Sequence, residues 1–240
     1  MFAPFLERMA ASCAYYKGLT LRRNAEWPRI EEWFTAMEGR PSYRHIQSDF
    51  YTHVHDLPPQ VGSCQNVKGS EARRQYAALI DGDAPGAWSL PLPSDDGSLV
   101  EPLTGLAQPE GEARREAAER LLANREAIVR FSARGLGRSG FPPVSAELSD
   151  PNAQPDEASM PLVDTALRHV VDSLLEGPEA AQARLSNGLP PREVAVCLGY
   201  LRDRISVPRD MGYPAARALR AHLNWAIEAT GLKAAAGQPS

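Results

Sequence analysis

The chain has 240 residues, and its 43% of hydrophobic and 23% of charged residues exclude a wholly disordered polypeptide. Its net charge of -4 provides no general positive field for a phosphate backbone, so we expect no nucleic-acid partner. Every uninterrupted apolar stretch is far shorter than the ~20 residues that a bilayer-spanning helix needs, so we expect no transmembrane segment.

The cysteines are typical of a protein from a reducing compartment. Cys13, Cys64 and Cys197 cannot all pair, and they lack the close spacing of zinc sites and redox dithiols. Glu7 and Arg8 stand where a secretory signal needs apolar residues. The sequence therefore predicts an intracellular protein.

The apolar pattern of the first sixty residues predicts two amphipathic helices. The first ends at Lys17-Gly18, and its apolar face comprises Phe2, Phe5, Leu6, Met9, Cys13 and Tyr16. The second follows Trp27-Pro28, and its apolar stripe comprises Ile30, Trp33, Phe34 and Met37. A short helix or turn is expected from Ser42 to Gln47. Pro58-Pro59 is expected to prevent a helix at that point.

The later part of the chain alternates proline-rich passages with predicted helices. Residues 81–110 read as a linker or a surface meander. A long helix is expected from Glu110 to Arg134, with a buried side of Leu121, Leu122, Ile128, Val129 and Phe131. Three further helices are expected: one spanning Leu162 to Leu175, one opened by Pro190-Pro191, and one opened by Pro214 and stopped by Gly231.

No stretch of five residues alternates convincingly as a half-buried β-strand does. The predicted fold class is therefore all-α, with helices joined by proline-rich loops.

The first sixty residues also carry a set of motifs that belong together. They are FAPFLERMAAS, YYKG, WPRIEEWFTAMEGRPSY and SDFYTHVHDLPPQ. This set resembles the helical C-terminal half of glutathione S-transferases, in the form found in plastid-type plant and algal members. The later segments WSLPLP and SVPRDMGYPAARALRAHLNW resemble the extension that algal relatives carry.

The resemblance implies a fold and a domain organisation. The fold would be a glutathione S-transferase C-terminal-like helical bundle, followed by a second helical region after a proline-rich linker. The expected boundaries are 1–80 for the transferase-like part, 81–110 for the linker, 111–232 for the second helical region and 233–240 for a disordered tail. The plastid type of the resemblance also implies a chloroplast location.

Such transferases need a domain that activates the glutathione thiol, and these residues do not supply it. The expectation for function follows from this difference. The N-terminal thioredoxin-like domain, which activates the glutathione thiol, is missing from the sequence. A thiol with a pKa near ~8.5 is mostly protonated at neutral pH, so we expect no catalytic residue and no glutathione conjugation. Glutathione would be a cofactor only if that domain were restored.

The expected role is therefore a non-catalytic binding or assembly module, which contacts a protein partner or a second copy through exposed helix faces. Two alternatives remain open. One is a fragment of a complete transferase that conjugates or reduces small electrophiles. The other is an accessory subunit of an organellar complex.

His53, His55 and Asp56 form the densest group of potential metal ligands. In an extended segment both histidines would point to one face, with Asp56 beside them. No third or fourth ligand is visible nearby, so we expect a structural role and no bound metal.

The remaining reactive side chains are expected to be structural. Cys64 is predicted to be the exposed thiol, with a redox or glutathionylation role as the alternative. Expected packing residues are Cys13, Cys197, Tyr15, Tyr16, Tyr43 and Tyr51. Expected hydrogen-bonded core histidines are His169 and His222. Expected solvated side chains are Glu7, Glu31, Glu32 and the arginines between Arg114 and Arg134.

Overall fold

The structure of the protein is a computed structural model. It describes residues 2–44, 46–61, 64–83, 86–92, 96–138, 153–185, 192–205 and 211–230. The side chains of residues 56–61 and 192 are outside that description. The expected tail, 233–240, and the expected stop at Gly231 also lie outside the described residues.

The architecture is mostly helical, as the sequence predicts. The first helices are α1 (Ala3–Ser12), extended by a π-helical turn (Cys13–Lys17), then α2 (Pro28–Glu38), α3 (Pro41–Arg44), α4 (Phe50–Val61) and α5 (Glu71–Asp81). An unexpected hairpin follows, made of β1 (Ser98–Val100) and β2 (Ala107–Pro109). The later helices are α6 (Glu110–Ala123), α7 (Arg125–Ser132), α8 (Met160–Glu176), α9 (Pro178–Ala183), α10 (Arg192–Asp203) and α11 (Tyr213–Ala229), with 3-10 turns at Ala133–Gly135 and Glu157–Ser159.

Several predicted helix limits are wrong. The predicted helix from Glu110 to Arg134 is divided at Asn124 into α6 and α7. The expectation that Pro58-Pro59 prevents a helix is also wrong, because both prolines lie inside α4. The helix α5 has no counterpart among the predicted helices. It begins where the Ser70 hydroxyl accepts a hydrogen bond from the Arg73 N–H at 3.2 Å, which satisfies a donor of the first turn.

The predicted apolar face of the first helix is wrong for three of its six residues, whereas Leu6 and Tyr16 pack in the smaller apolar cluster described below. Phe2 is 78% exposed, Phe5 68% and Met9 49%. The buried side of α1 instead carries small residues and one acid: Ala3, Glu7, Ala10 and Ala11. Because α1 packs on α4, alanines allow a close approach of the two backbones, and the large side chains are left on the outer face.

Two clusters of buried apolar side chains form the interior. The smaller cluster lies among α1 to α5: Ala10, Ala11, Ala14, Tyr16, Phe34, Phe50, Val54, Ile80 and Leu103. The larger cluster joins the hairpin to the later helices, and its fully buried members include Leu99, Ile128, Val163, Leu174, Leu198, Leu201, Leu219 and Leu223. The segment predicted as a linker thus contributes Leu92 and Leu99 to one cluster and Leu103 to the other.

The hairpin has a tight connection that places one acid. Its strands are antiparallel, with Leu99 opposite Gln108. Two backbone hydrogen bonds close the connection, from the Glu101 N–H to Leu106 O at 2.8 Å and from the Gly105 N–H to Glu101 O at 2.7 Å. Gly105 has φ +72°, and a Cβ there would lie 2.9 Å from a guanidinium nitrogen of Arg23, so glycine suits this position. The connection holds Glu101 at the junction of the two clusters.

A close contact between the turn Ala133–Gly135 and α10 provides a stability test. A Cβ at Gly135 would lie 2.8 Å from the Tyr200 Cβ and 2.9 Å from Val196 O, whereas a Cβ at Gly199 in α10 would meet nothing within 4 Å. We expect Gly135→Ala to lower the free energy of unfolding by about 1–3 kcal/mol. We expect Gly199→Ala to raise it by about 0.5–1 kcal/mol, because it removes a glycine from a helix interior.

Urea denaturation of both variants measures these changes. Equal effects of the two substitutions would contradict the close packing at Gly135.

Candidate functional site

We call α1 to α5 and α6 to α11 the two helical parts. A cleft of about 1010 Å³ lies between them. Its walls come from the first four helices, the hairpin, α6 and the start of α11. We call it the acid cleft, after its lining glutamates: Glu7, Glu38, Glu101, Glu112, Glu116 and Glu119. The lining arginines are Arg44, Arg115 and Arg120. Glutamates therefore outnumber arginines in the described lining.

Glu101 is a deeply buried acid of this cleft. Its residue exposure is 3%. One carboxylate oxygen, Oε1, accepts a hydrogen bond from the Leu103 N–H at 3.3 Å. The other, Oε2, is buried and has no hydrogen-bond partner among the described residues. A buried acceptor without a donor costs about 1–3 kcal/mol, more if it is charged, so this oxygen either binds a proton or needs a ligand.

Burial is the largest influence on this carboxyl, and with the nearby Asp49 carboxylate it raises the pKa of Glu101 to about 8. The Leu103 N–H and the cations Arg22 and Arg220 act in the opposite direction. Burial and the Glu101 charge in turn raise the pKa of Tyr213, at the start of α11, to about 12. The hydroxyl of Tyr213 is therefore neutral at physiological pH.

Glu7 is a second buried acid of the cleft, with an exposure of 3%. Its Oε2 lies 3.7 Å from the Nε2 atom of His53. Burial, together with the negative charge of Glu7, raises the pKa of the neighbouring Tyr43 hydroxyl. Glu7 was expected to be solvated, and that expectation is wrong, because it lies on the buried, alanine-rich side of α1.

Two buried arginines neutralise other acids near the cleft. Arg22 binds Glu31 at 2.9 Å and Glu38 at 2.7 Å. Arg220 in α11 binds the Asp49 carboxylate before α4 at 3.0 Å. Glu31 was expected to be solvated, and that expectation is wrong, because it holds the guanidinium of Arg22.

The pair of Asp49 and Arg220 is buried, with exposures of 2% and 1%. The Thr52 hydroxyl donates a hydrogen bond to Asp49 at 2.6 Å, and the Thr52 N–H donates a second at 3.3 Å. The guanidinium carbon of Arg220 also lies 4.2 Å from the ring centre of Tyr51 and 5.2 Å from that of Trp88. This arrangement connects α4, α11 and the segment before the hairpin.

The histidines proposed as metal ligands are not brought together. His53 faces Glu7, whereas the Nε2 atom of His55 lies 2.8 Å from Oδ1 of Asp81. The segment is helical, and side chains two residues apart on a helix point in different directions. The side chain of Asp56 lies outside the described residues. Within the described part of the chain, no three His, Cys, Asp or Glu side chains are grouped as a metal site.

The thiols lie outside the cleft lining. Cys64, expected to be exposed, is half-buried, and Cys13 is also half-buried. Burial and the neighbouring Cys64 raise the pKa of the Cys13 thiol, which opposes reactivity. Cys197 is buried as predicted, and burial raises its pKa to about 11.

Tyr15, Tyr16 and His222 make internal hydrogen bonds. The expectation that His169 is a hydrogen-bonded core histidine is wrong, because it is half-buried and its Nδ1 atom has no hydrogen-bond partner among the described residues. The Tyr16 hydroxyl donates a hydrogen bond to Val54 O at 2.7 Å, and that of Tyr15 to Asp81 at 2.9 Å. His222 is fully buried, with Nδ1 2.7 Å from the Ser173 hydroxyl. Burial lowers the pKa of His222 to about 3, so its ring is neutral.

No protein-family model, curated protein or solved structure matches this chain. The resemblance to glutathione S-transferases therefore stays a prediction. Across the helices in the described part of the chain, none is both long enough and apolar enough to cross a bilayer.

The pH dependence of stability tests the state of Glu101. Its pKa is about 4.5 when exposed and about 8 in the fold, so the folded state binds the proton more tightly. Stability is therefore highest on the acid side and falls as the pH rises from about 5 to about 8, by about 3–5 kcal/mol from this group. We expect Glu101→Gln to remove this decline, so that the variant is more stable than the wild type at pH 9 and similar at pH 5.

Urea unfolding between pH 5 and 9 measures the difference between the two proteins. Glu126→Gln, which alters an exposed acid outside the cleft, is the control and should retain the decline. Parallel pH profiles for the wild type and Glu101→Gln would contradict a protonated Glu101.

Proposed function

We propose that the protein is a non-catalytic binding module on a glutathione-transferase-like helical scaffold, and that it binds a small molecule in the acid cleft. The observation that carries the proposal is the unpartnered Oε2 atom of Glu101, buried in the wall of this cleft. Buried polar atoms normally have a partner, and a ligand in the cleft would supply one. Concave sites with a few buried polar groups are typical of small-molecule binding.

The charge of the cleft favours binding over thiol chemistry. A transferase must lower the pKa of a bound thiol to form the thiolate. The carboxylates of Glu7 and Glu116 would have the reverse effect, because negative charge disfavours a second anion nearby. The half-buried cysteines are not part of the lining either.

The assembly role expected from exposed helix faces also stays a prediction. The surface that favours it is the outer side of α1, where Phe2, Phe5 and Met9 are exposed.

A fragment panel tests the proposed binding role. The panel contains organic cations, organic anions and neutral compounds of similar size, and ligand-observed NMR detects binding to the full chain. We expect at least one class to bind the wild type, and Glu101→Gln to weaken that class at least tenfold in Kd, since it changes the unpartnered oxygen.

The exposed-site variant Glu126→Gln should bind as the wild type does. If no class binds, or if the two variants behave identically, the cleft is not a binding site and the proposal is wrong.

A further inference from the structure

The buried acids around the cleft differ in their partners. Glu7, Asp49 and Glu101 are each at least 97% buried. Among the described residues, the buried guanidinium groups belong to Arg22, Arg202 and Arg220, and the buried His53 faces Glu7. Burying a charge is unfavourable unless an opposite charge compensates it, so a buried acid without a basic partner needs an explanation.

Neither of the arginines near Glu101 is hydrogen-bonded to it. Arg22 binds Glu31 and Glu38 through both sides of its guanidinium group. Arg220 binds Asp49 through Nη1, and its Nε and Nη2 atoms are buried without a hydrogen-bond partner among the described residues. Glu101 has neither arginine as a hydrogen-bond partner, and its Oε2 atom has no donor among the described residues. The buried acid without a basic partner is therefore Glu101, on the cleft wall.

We propose that the acid cleft binds a small organic cation with N–H donors, and that the Oε2 atom of Glu101 accepts a hydrogen bond from its ammonium group. This inference rests on the proposed binding function and adds the chemical class of the ligand. A charge-assisted hydrogen bond of this type would satisfy the unpartnered oxygen and stabilise the carboxylate form of Glu101.

Other ligand classes fit these residues less well. An anion would enter among glutamates, and the arginines that could attract it include Arg44 and Arg115, whose exposed side chains are screened by solvent. A divalent metal ion needs several converging oxygen ligands, and the described residues form no such group. An ammonium group needs fewer acceptors.

The cleft also has surface for the carbon chain of an amine. Phe50, Leu106 and Pro214 line it together with the acids. A volume of about 1010 Å³ accommodates a short diamine with water around it. Glu112 and Glu119 are exposed acids of the same lining, and they offer a second cation a position nearer to solvent.

Proton release follows from the binding of a cation at this position. The groups that face Glu101 are Asp49, Arg22, Arg220 and Tyr213, together with the Leu103 N–H. With a pKa of about 8, the Glu101 carboxyl is about nine-tenths protonated at pH 7. A bound ammonium group favours the carboxylate, so one amine should displace close to one proton.

Calorimetry with 1,4-diaminobutane tests the inference. The full chain is titrated at pH 7 in two buffers of different ionisation enthalpy, neither of which is a primary amine. The dependence of the heat on the buffer gives the number of protons released. Butyrate and tetramethylammonium are the comparison ligands, since the first reverses the charge and the second has the charge without N–H donors.

We expect 1,4-diaminobutane to bind the wild type with release of about 0.9 proton, from the pKa of about 8. We expect Glu101→Gln to weaken this binding at least tenfold and to abolish the proton release. Butyrate should not bind, and tetramethylammonium should bind at least tenfold more weakly than the diamine. Glu126→Gln should match the wild type.

Two results would overturn the inference. Binding of the diamine without proton release would show that Glu101 is not its acceptor. This result is obtained with the wild-type protein alone, so it does not depend on the folding of a variant. If anions or neutral fragments bind in a Glu101-dependent manner and amines do not, the ligand class is wrong while the proposed binding function stands. If no ligand class binds, both this inference and the proposed binding function are wrong.

Discussion

The buried ion pair between Asp49 and Arg220 is the interaction on which the arrangement of the two helical parts depends. The two residues are 171 positions apart in sequence, and their side chains meet at 3.0 Å between the start of α4 and the middle of α11. Tyr51 and Trp88 cover the guanidinium group. Removing one partner of such a pair leaves an unpaired buried charge, which is strongly destabilising, so the pair specifies how the parts meet.

The acid cleft is a consequence of this meeting. The hairpin connection holds Glu101 near Asp49, and the Asp49 charge adds to burial in keeping a proton on the Glu101 carboxyl. The Arg220 guanidinium donates to Asp49 through Nη1, and its other two nitrogens have no hydrogen-bond partner among the described residues, so it does not reach Glu101. The same interaction that joins the helical parts therefore leaves one buried acid without a basic partner, and this acid is the chemical feature of the cleft.

The sequence could predict helices that are buried along a clear stripe, such as α10, where Val194, Leu198 and Leu201 are all fully buried. The buried side of α1 could not be found in this way, because α4 packs against its alanines and the periodicity of α1 does not reveal which face meets a neighbour. Glu101 lies in a segment without periodicity, and its partner groups come from distant helices. The candidate site depends on long-range contacts, which local patterns do not encode.

A double-mutant cycle on Asp49 and Arg220 tests this account most directly. The unfolding free energies of Asp49→Asn, Arg220→Met and the double variant are compared with that of the wild type. Each single substitution should cost about 3–5 kcal/mol, because it leaves a buried group unpaired, and the double should cost less than the sum by about 2–3 kcal/mol. Additive losses within about 0.5 kcal/mol would contradict the account, since they would show that the pair does not join the two helical parts.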